Sequence, residues 1–209
     1  MGKYLGPVCR LCRAEEVKLF LKGDKCYTEK CPLTKKKNPP GERKSSFYRR
    51  KLSDYGLRLR EKQKVKRYYD LREEQFRRYY KHASTSRGKT GEVLLQLLER
   101  RLSNVIWLLG FAASRRAARM LISHGHFLVN GKKVNVPSYL VKPGDIIQVR
   151  EKSKTLTMIR EGLKTKREHT VDWLEVNKAK LEGKVLSMPT RESIPIPITE
   201  QYIVEFYSR

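Results

Sequence analysis

The apolar positions of this chain change period several times, and each change marks an element. Residues 54–68, DYGLRLREKQKVKRY, carry charge on nearly every face, and Leu52 and Ser53 before them read as an apolar staple and an N-cap. A helix this evenly charged is seldom a core element. In DLREEQFRRYYKHA, Phe76, Tyr79, Tyr80 and Ala83 recur at helical spacing as one apolar stripe. Asp70 with Glu73 three residues later has the form of a capping box. After a loop, STSRGKTGE, the stretch EVLLQLLERRLSNVIWLLGF puts Leu94, Leu98, Leu102, Val105 and Leu109 on one side of a helix that Gly110 stops.

Ser114 is placed to cap the next helix, RRAARMLISH, with Ala118, Leu121 and Ile122 as its buried face and Arg115, Arg116 and Arg119 opposite. Gly125 falls where a left-handed C-cap wants glycine, and His124 lies in the last turn, where the helix dipole tolerates a cation. His126 opens a strand, HFLV; Asn130-Gly131 predicts a type I′ turn, KKVNV the return strand, KPGD a second turn and IIQVR a buried strand. The His-Gly-His run therefore reads as helix stop and strand start. As a metal site it would supply only half a tetrahedral shell.

The rest of the chain predicts a short helix in SKTLTMIREGL, a small hairpin in VDWLEVNKAKLEGKVLSM with Gly183 near its turn, and a short terminal helix bearing Ile203, Phe206 and Tyr207 after the prolines of PIPITEQ.

Charge changes what this pattern is for. The 209 residues hold 47 Lys and Arg against 22 Asp and Glu, a formal net charge of +25. Such self-repulsion is best explained by a polyanionic partner, a nucleic acid or an anionic surface. No apolar run approaches the roughly 18–20 residues of a membrane span. The N-terminal segment has no apolar signal core, so a cytoplasmic protein is expected. Residues 35–51, KKKNPPGERKSSFYRRK, are basic and proline-broken, and depend on a partner for order.

All four cysteines lie near the start: Cys9, Cys12, Cys26 and Cys31, spaced C-x2-C-x13-C-x4-C. Two pairs at that spacing suit a four-thiolate structural metal site, zinc being favoured and a four-iron cluster the alternative. Disulfides fit a reducing compartment poorly. A segment with so small a core gains most of its order from such an ion.

RLSNVIWLLGFAASRRAARMLISHGHFLVNGKKVNVPSYLVKPGDIIQV closely resembles the small RNA-binding domain named after small-subunit ribosomal protein four. The flanks KLSDYGLRLREKQKVKRYYDLREEQFRRYY, GKTGEVLLQLLE and IVEFYSR resemble the bacterial form of the ribosomal protein four family, from about residue 40 to the C-terminus. Ser103 and Leu108 depart from the family pattern and are read as surface or contact changes. The resemblance implies an α+β protein, a mainly helical domain interrupted by a small α/β-hairpin domain. The boundaries expected are a metal-bound and basic segment 1–45, a helical domain 46–98 completed by 163–209, and the small RNA-binding domain 99–162.

The resemblance also implies a primary binder of small-subunit ribosomal RNA that nucleates assembly of the subunit body. It would lie near the channel by which messenger RNA enters, touch small-subunit ribosomal protein five, contribute to decoding accuracy, and in some bacteria repress its own operon. The residues expected to grip phosphate are Arg115, Arg116 and Arg119 on one helix face with Lys132 and Lys133 beyond the hairpin, and then Arg43, Lys44, Arg49, Arg50 and Lys51. Phe76, Tyr79 and Tyr80 are expected in the core and not on bases. The rival readings are an RNA-modifying enzyme with the same accessory domain and a zinc-containing DNA-binding repressor. No catalytic triad or paired-carboxylate arrangement stands out around His82, His124, His126 or His169, and no helix–turn–helix pairing appears.

Overall fold

A computed structural model describes residues 4–35, 38–41, 52–164, 171–194 and 196–208. The order is α1 (Val8–Glu15), a 3-10 turn (Gly23–Cys26), α2 (Pro32–Lys35), α3 (Asp54–Tyr68), α4 (Glu73–Thr85), α5 (Thr90–Glu99), α6 (Leu102–Leu108) and α7 (Arg115–Ser123). Then follow β1 (Phe127–Val129), β2 (Lys132–Lys133), β3 (Ile146–Val149), a 3-10 turn (Glu151–Ser153), α8 (Thr157–Lys164), β4 (Leu174–Asn177), β5 (Glu182–Val185) and α9 (Glu200–Tyr207). No helix among these is long and apolar enough to cross a membrane.

Local chemistry sets most boundaries. The Ser53 side chain accepts from the Gly56 N–H at 3.2 Å and starts α3. Ser114 does the same for α7 through the Ala117 N–H at 3.2 Å. Gly125 takes φ +74° after α7, and Asn130 and Gly131, at +50° and +75°, make the type I′ turn between β1 and β2. The His-Gly-His run is thus helix stop and strand start, and His126 Nδ1 lies 2.9 Å from Ser153 Oγ.

Three expectations are corrected. The single helix expected across residues 92–111 is two, α5 and α6. Arg101 is extended (φ −63°, ψ 131°) and bridges Leu140; the Leu102 N–H donates to Tyr139 O at 2.8 Å and the Val141 N–H to Arg100 O at 3.0 Å. The apolar period runs on through the break, but the backbone there is engaged by a distant loop. Asp70 is not the N-cap of α4: it takes φ +52°, Arg72 holds that position, and the Asp70 carboxylate faces α7. The charged α3 does reach a core, burying Val65 and Tyr68 and packing along α9. Gly183, expected near the turn of its hairpin, lies within β5 just past Leu181, which takes φ +56° there. A Cβ on Gly183 would come 2.5 Å from the Leu109 side chain, so its absence lets the end of α6 rest on the sheet.

The sheet runs β2-β1-β3-β5-β4 and every pairing is antiparallel, with Ile147 opposite Gly183. The segment 163–209, expected whole with the helical domain, therefore divides. Its hairpin β4–β5 extends the sheet of the small domain, and its end returns to the helices.

Two apolar cores result. One gathers Val105, Ile106, Phe111, Ile122, Phe127, Ile147 and Trp173 under the sheet. The other gathers Val65, Phe76, Leu94, Leu98, Ile194 and Ile203 among α3, α4, α5 and α9. Leu19 and Leu21 of the N-terminal segment join the second core, and Phe20 packs against both. Gly23, at φ +71°, lies where a Cβ would meet Ala113 at 3.0 Å. The N-terminal segment therefore spans the seam between the two cores.

Candidate nucleic-acid interface

Lys132 and Lys133 form the exposed edge strand β2, held out by the turn at Asn130-Gly131. Asn130 Nδ2 donates to Asp145 Oδ1 and its Oδ1 accepts from the Ile146 N–H, both at 2.9 Å, which fixes the turn to the sheet. Burial, then His124, Arg150 and Lys133, lower the pKa of His126, so the neutral imidazole is favoured in this basic neighbourhood.

The three arginines of α7 do not share a solvent face. Arg115 is 3% exposed; its Nε donates to Asn104 Oδ1 at 2.7 Å. Arg116 Nε donates to Asp70 Oδ1 at 2.9 Å, and Arg119 Nη1 lies 3.8 Å from Asp70 Oδ2. The reason is tertiary. Ala118, Leu121 and Ile122 face the small-domain core, while the end of α3 and Asp70 cover part of the other side. Arg115 is thereby removed from the expected phosphate-binding set. Arg43, Lys44, Arg49, Arg50 and Lys51 lie outside the described residues, as does His169. Ser103, read as a surface or contact position, is buried at the start of α6, its N–H donating to Pro137 O at 3.2 Å; Leu108 is half-buried against the small-domain core.

A second basic face was missed in the sequence. Arg77, Arg78 and Lys81 project from α4 into solvent and, with Glu74, Tyr80, Ser84 and Tyr207, line an open groove of about 610 Å³. Their i, i+1, i+4 spacing opposite Phe76 and Ala83 was the available signal. Phe76 is fully buried. Tyr79 and Tyr80 are half-buried: Arg101 Nη1 donates to the Tyr79 hydroxyl at 2.5 Å, and the Tyr80 hydroxyl donates to Val204 O at 3.3 Å. Tyr80 stacks on Tyr207 at 4.5 Å between centroids, so α9 forms one wall of the groove.

The four cysteines are free thiols, with Cys12, Cys26 and Cys31 buried and Cys9 half-buried. Burial pushes the Cys12 thiol up to about 11, the Leu19 backbone N–H opposes this, and Cys26, Cys9 and Cys31 each add to it. Cys26 is raised by burial too, while its Sγ accepts from the Lys22 N–H at 3.4 Å. Among the described residues, no three His, Cys, Asp or Glu side chains are disposed around a point that could hold a metal ion. The converged four-thiolate centre expected from the spacing is not supported by this arrangement.

Comparison with known proteins matches two family models end to end. Residues 3–99 match the ribosomal protein S4/S9 N-terminal domain, and residues 100–147 match the S4 domain. Their boundary falls at the break between α5 and α6. Relatives named small ribosomal subunit protein uS4 align over 100% of this chain and 100% of their own length. The chain is similar to those of Thermoanaerobacter sp. (strain X514) at 57% identity, Caldicellulosiruptor bescii at 56% and Thermodesulfovibrio yellowstonii at 54%.

Proposed function

Because the chain belongs to the family of small ribosomal subunit protein uS4, we propose that it is a structural component of the small ribosomal subunit, cytoplasmic and ribosome-bound, that binds small-subunit ribosomal RNA. The observation that carries this reading is the pair of exposed basic faces on two bodies joined by one seam: Arg77, Arg78 and Lys81 on the helical body, Lys132 and Lys133 on the small domain. Folded RNA is recognised through the shape of its backbone and its 2′-hydroxyls. Cations at fixed separations on rigid elements suit that task. On this reading the protein binds and does not turn over substrate, and recovery of a chemically modified nucleotide after incubation with ribosomal RNA would favour the RNA-modifying alternative.

The finer roles belong to the same proposal. A two-bodied binder spanning several RNA helices would nucleate folding of the subunit body. It would face messenger RNA near the channel where it enters, contact small-subunit ribosomal protein five, contribute to decoding accuracy, and be able to repress its own operon. The four cysteines would hold zinc, or a four-iron cluster, after a local closing of the thiols. The C-x2-C and C-x4-C spacing supports this. The N-terminal segment would then be ordered by the ion, and metal analysis should return one zinc or one cluster per chain. A Cys9→Ser/Cys12→Ser variant that kept its metal would refute the assignment.

The RNA reading is tested by salt. Binding that displaces condensed counterions makes log affinity fall linearly with log salt, by about 0.7–0.9 per phosphate neutralised. Replacing Arg77, Arg78 and Lys81 together with Gln should flatten the slope by about 2–3 on that rule. The parent should stay with small subunits through a high-salt wash. A parent that washes off, and binds ribosomal RNA no better than duplex DNA at equal salt, would end this reading.

A further inference from the structure

The two cores meet along a seam, and polar and aromatic side chains cross it. Arg115 opens α7 and so belongs to the small domain. Its guanidinium carbon lies 3.8 Å from the Tyr68 ring centroid, contributed by the helical body, and 3.7 Å from that of Trp107, contributed by the small-domain core. Its Nε donates to Asn104 Oδ1 at 2.7 Å. Asn104 Nδ2 donates to Glu99 Oε2 at 2.5 Å and to the Glu99 carbonyl at 3.0 Å. Glu99 Oε1 in turn accepts from the Tyr69 hydroxyl at 2.6 Å. The chain of contacts Tyr69–Glu99–Asn104–Arg115 thus begins at the end of α3 and finishes on α7. Glu99 and Asn104 stand on either side of the break between α5 and α6 and are 2% and 1% exposed. Two further links flank the chain, Asp70 with Arg116 and Tyr79 with Arg101.

The chemistry asks for arginine at this place. The Arg115 guanidinium is held by the bond from its Nε to Asn104 and by the rings of Tyr68 and Trp107, with the Tyr69 ring farther off at 5.4 Å. A planar, weakly hydrated guanidinium can be stacked in this way; a lysine ammonium is compact and strongly hydrated and cannot fill the same slot. Removing one member of a buried network leaves the others unpaired, so the links stand or fall together.

We infer that Arg115 is a positioning residue, a pin that joins the small domain to the helical body and so sets the separation between the α4 basic face and the hairpin lysines. The inference rests on the RNA-binding reading. Two patches that engage one RNA gain from a fixed relation, because the second contact forms at high effective concentration once the first is made. Loosening the seam leaves each patch intact and costs that gain.

The test is Arg115→Met, which removes the charge and keeps an apolar side chain of similar length, with Glu99→Gln beside it. Each is titrated against a small-subunit ribosomal RNA fragment over a salt series, and the free proteins are compared by solution X-ray scattering. Both should bind about tenfold more weakly, with the parental salt slope and a broader distribution of overall dimensions. Glu99 is an acid buried within the protein, so its loss of affinity would come from position alone. An Arg115→Met slope lower by about 0.7–0.9, the share of one phosphate, would mean that Arg115 contacts RNA and would overturn the inference. Parental affinity together with a parental scattering curve would overturn it as well. Should Arg115→Met fail to fold, Arg115→Lys is read by the same affinity and scattering criteria. If the parent itself binds no ribosomal RNA, the RNA reading fails; the pin is then judged by scattering alone, and an unchanged curve overturns it.

Discussion

Glu73, at the first position of α4, shows how much a single side chain can gather. Lys62 Nζ, Lys66 Nζ and the Tyr207 hydroxyl donate to its carboxylate at 2.7, 2.8 and 2.8 Å. Partial burial alone would raise its pKa; these donors outweigh that and bring it from 4.5 down to about 2. A carboxylate depressed on folding stabilises the fold fully above its unfolded value, and the stabilisation is lost as pH falls through the folded value. Glu73→Gln should therefore be less stable than the parent at neutral pH, with the difference closing as pH drops from 4.5 toward 2. The side chain is 45% exposed, so solvent screening holds the difference to roughly 1 kcal/mol or less. Urea melts at a series of pH values check both sign and window. At this scale the sequence was legible where one residue acts on its neighbours: Ser53 and Ser114 cap, and Asn130-Gly131 turns. Asp70 was not, because its partners Arg116 and Arg119 lie far along the chain.

Among the elements, α7 and the hairpin behind it separate two roles that look alike in the sequence. Lys132 and Lys133 are exposed on an edge strand. Replacing both with Gln should leave the melting temperature unchanged and flatten the salt dependence of RNA binding by about 1.4–1.8. Replacing Arg115, Arg116 and Arg119 with Gln should instead lower the melting temperature, since it empties the slot between Tyr68 and Trp107 and unpairs Asp70. Differential scanning calorimetry of the two variants distinguishes them directly, and equal melting temperatures would contradict this division. Helical periodicity identified the Ala118–Leu121–Ile122 face of α7. It could not show that the opposite side is also partly covered, because a period reports which residues share a face and not what stands against it. The same limit hid the break at Arg100–Arg101, where the apolar pattern continues and only the pairing with Leu140 interrupts the helix.

For the molecule as a whole, the return of the C-terminal segment closes the helical body. Ile194, Ile196 and Ile203 are each at most 4% exposed within the core built by α3, α4 and α5. Burying an isoleucine side chain contributes about 1.5–3 kcal/mol, so three contribute roughly 5–9. That is comparable with the net stability of a whole small domain. Truncation after Ser193 should therefore leave the helical body loose, while β3, β4 and β5 keep their protection. Amide hydrogen exchange should show fast exchange in α3, α4 and α5 and slow exchange at Ile147, Val149 and Val185. Uniform protection across both bodies would mean that the helical core does not depend on the returning segment. Gly23 offers a second probe: Gly23→Val would force a branched residue into φ +71° and against Ala113. It should release the N-terminal segment from the small domain, raising exchange over residues 8–31 and leaving the sheet unaffected.

By itself the sequence determined the local parts of this protein and the class of partner expected of it. Caps, turns and apolar stripes act over a few residues, so they are written where they act, and a net charge of +25 calls for a polyanion however the chain folds. The motif from Arg101 through the hairpin carried the family resemblance that the full-length relatives bear out. Only the tertiary structure decided which cations face solvent. Arg115 and Arg119 are identical in type and both lie on one short helix, yet Arg115 is 3% exposed because Tyr68 and Trp107 close over it. The tertiary structure also decided that β4–β5 joins the small domain while Ile194, Ile196 and Ile203 complete the helical core. Those outcomes depend on contacts between residues far apart in the chain, and the energy of such a contact is set by the face that arrives to meet it, which one-dimensional periodicity does not encode.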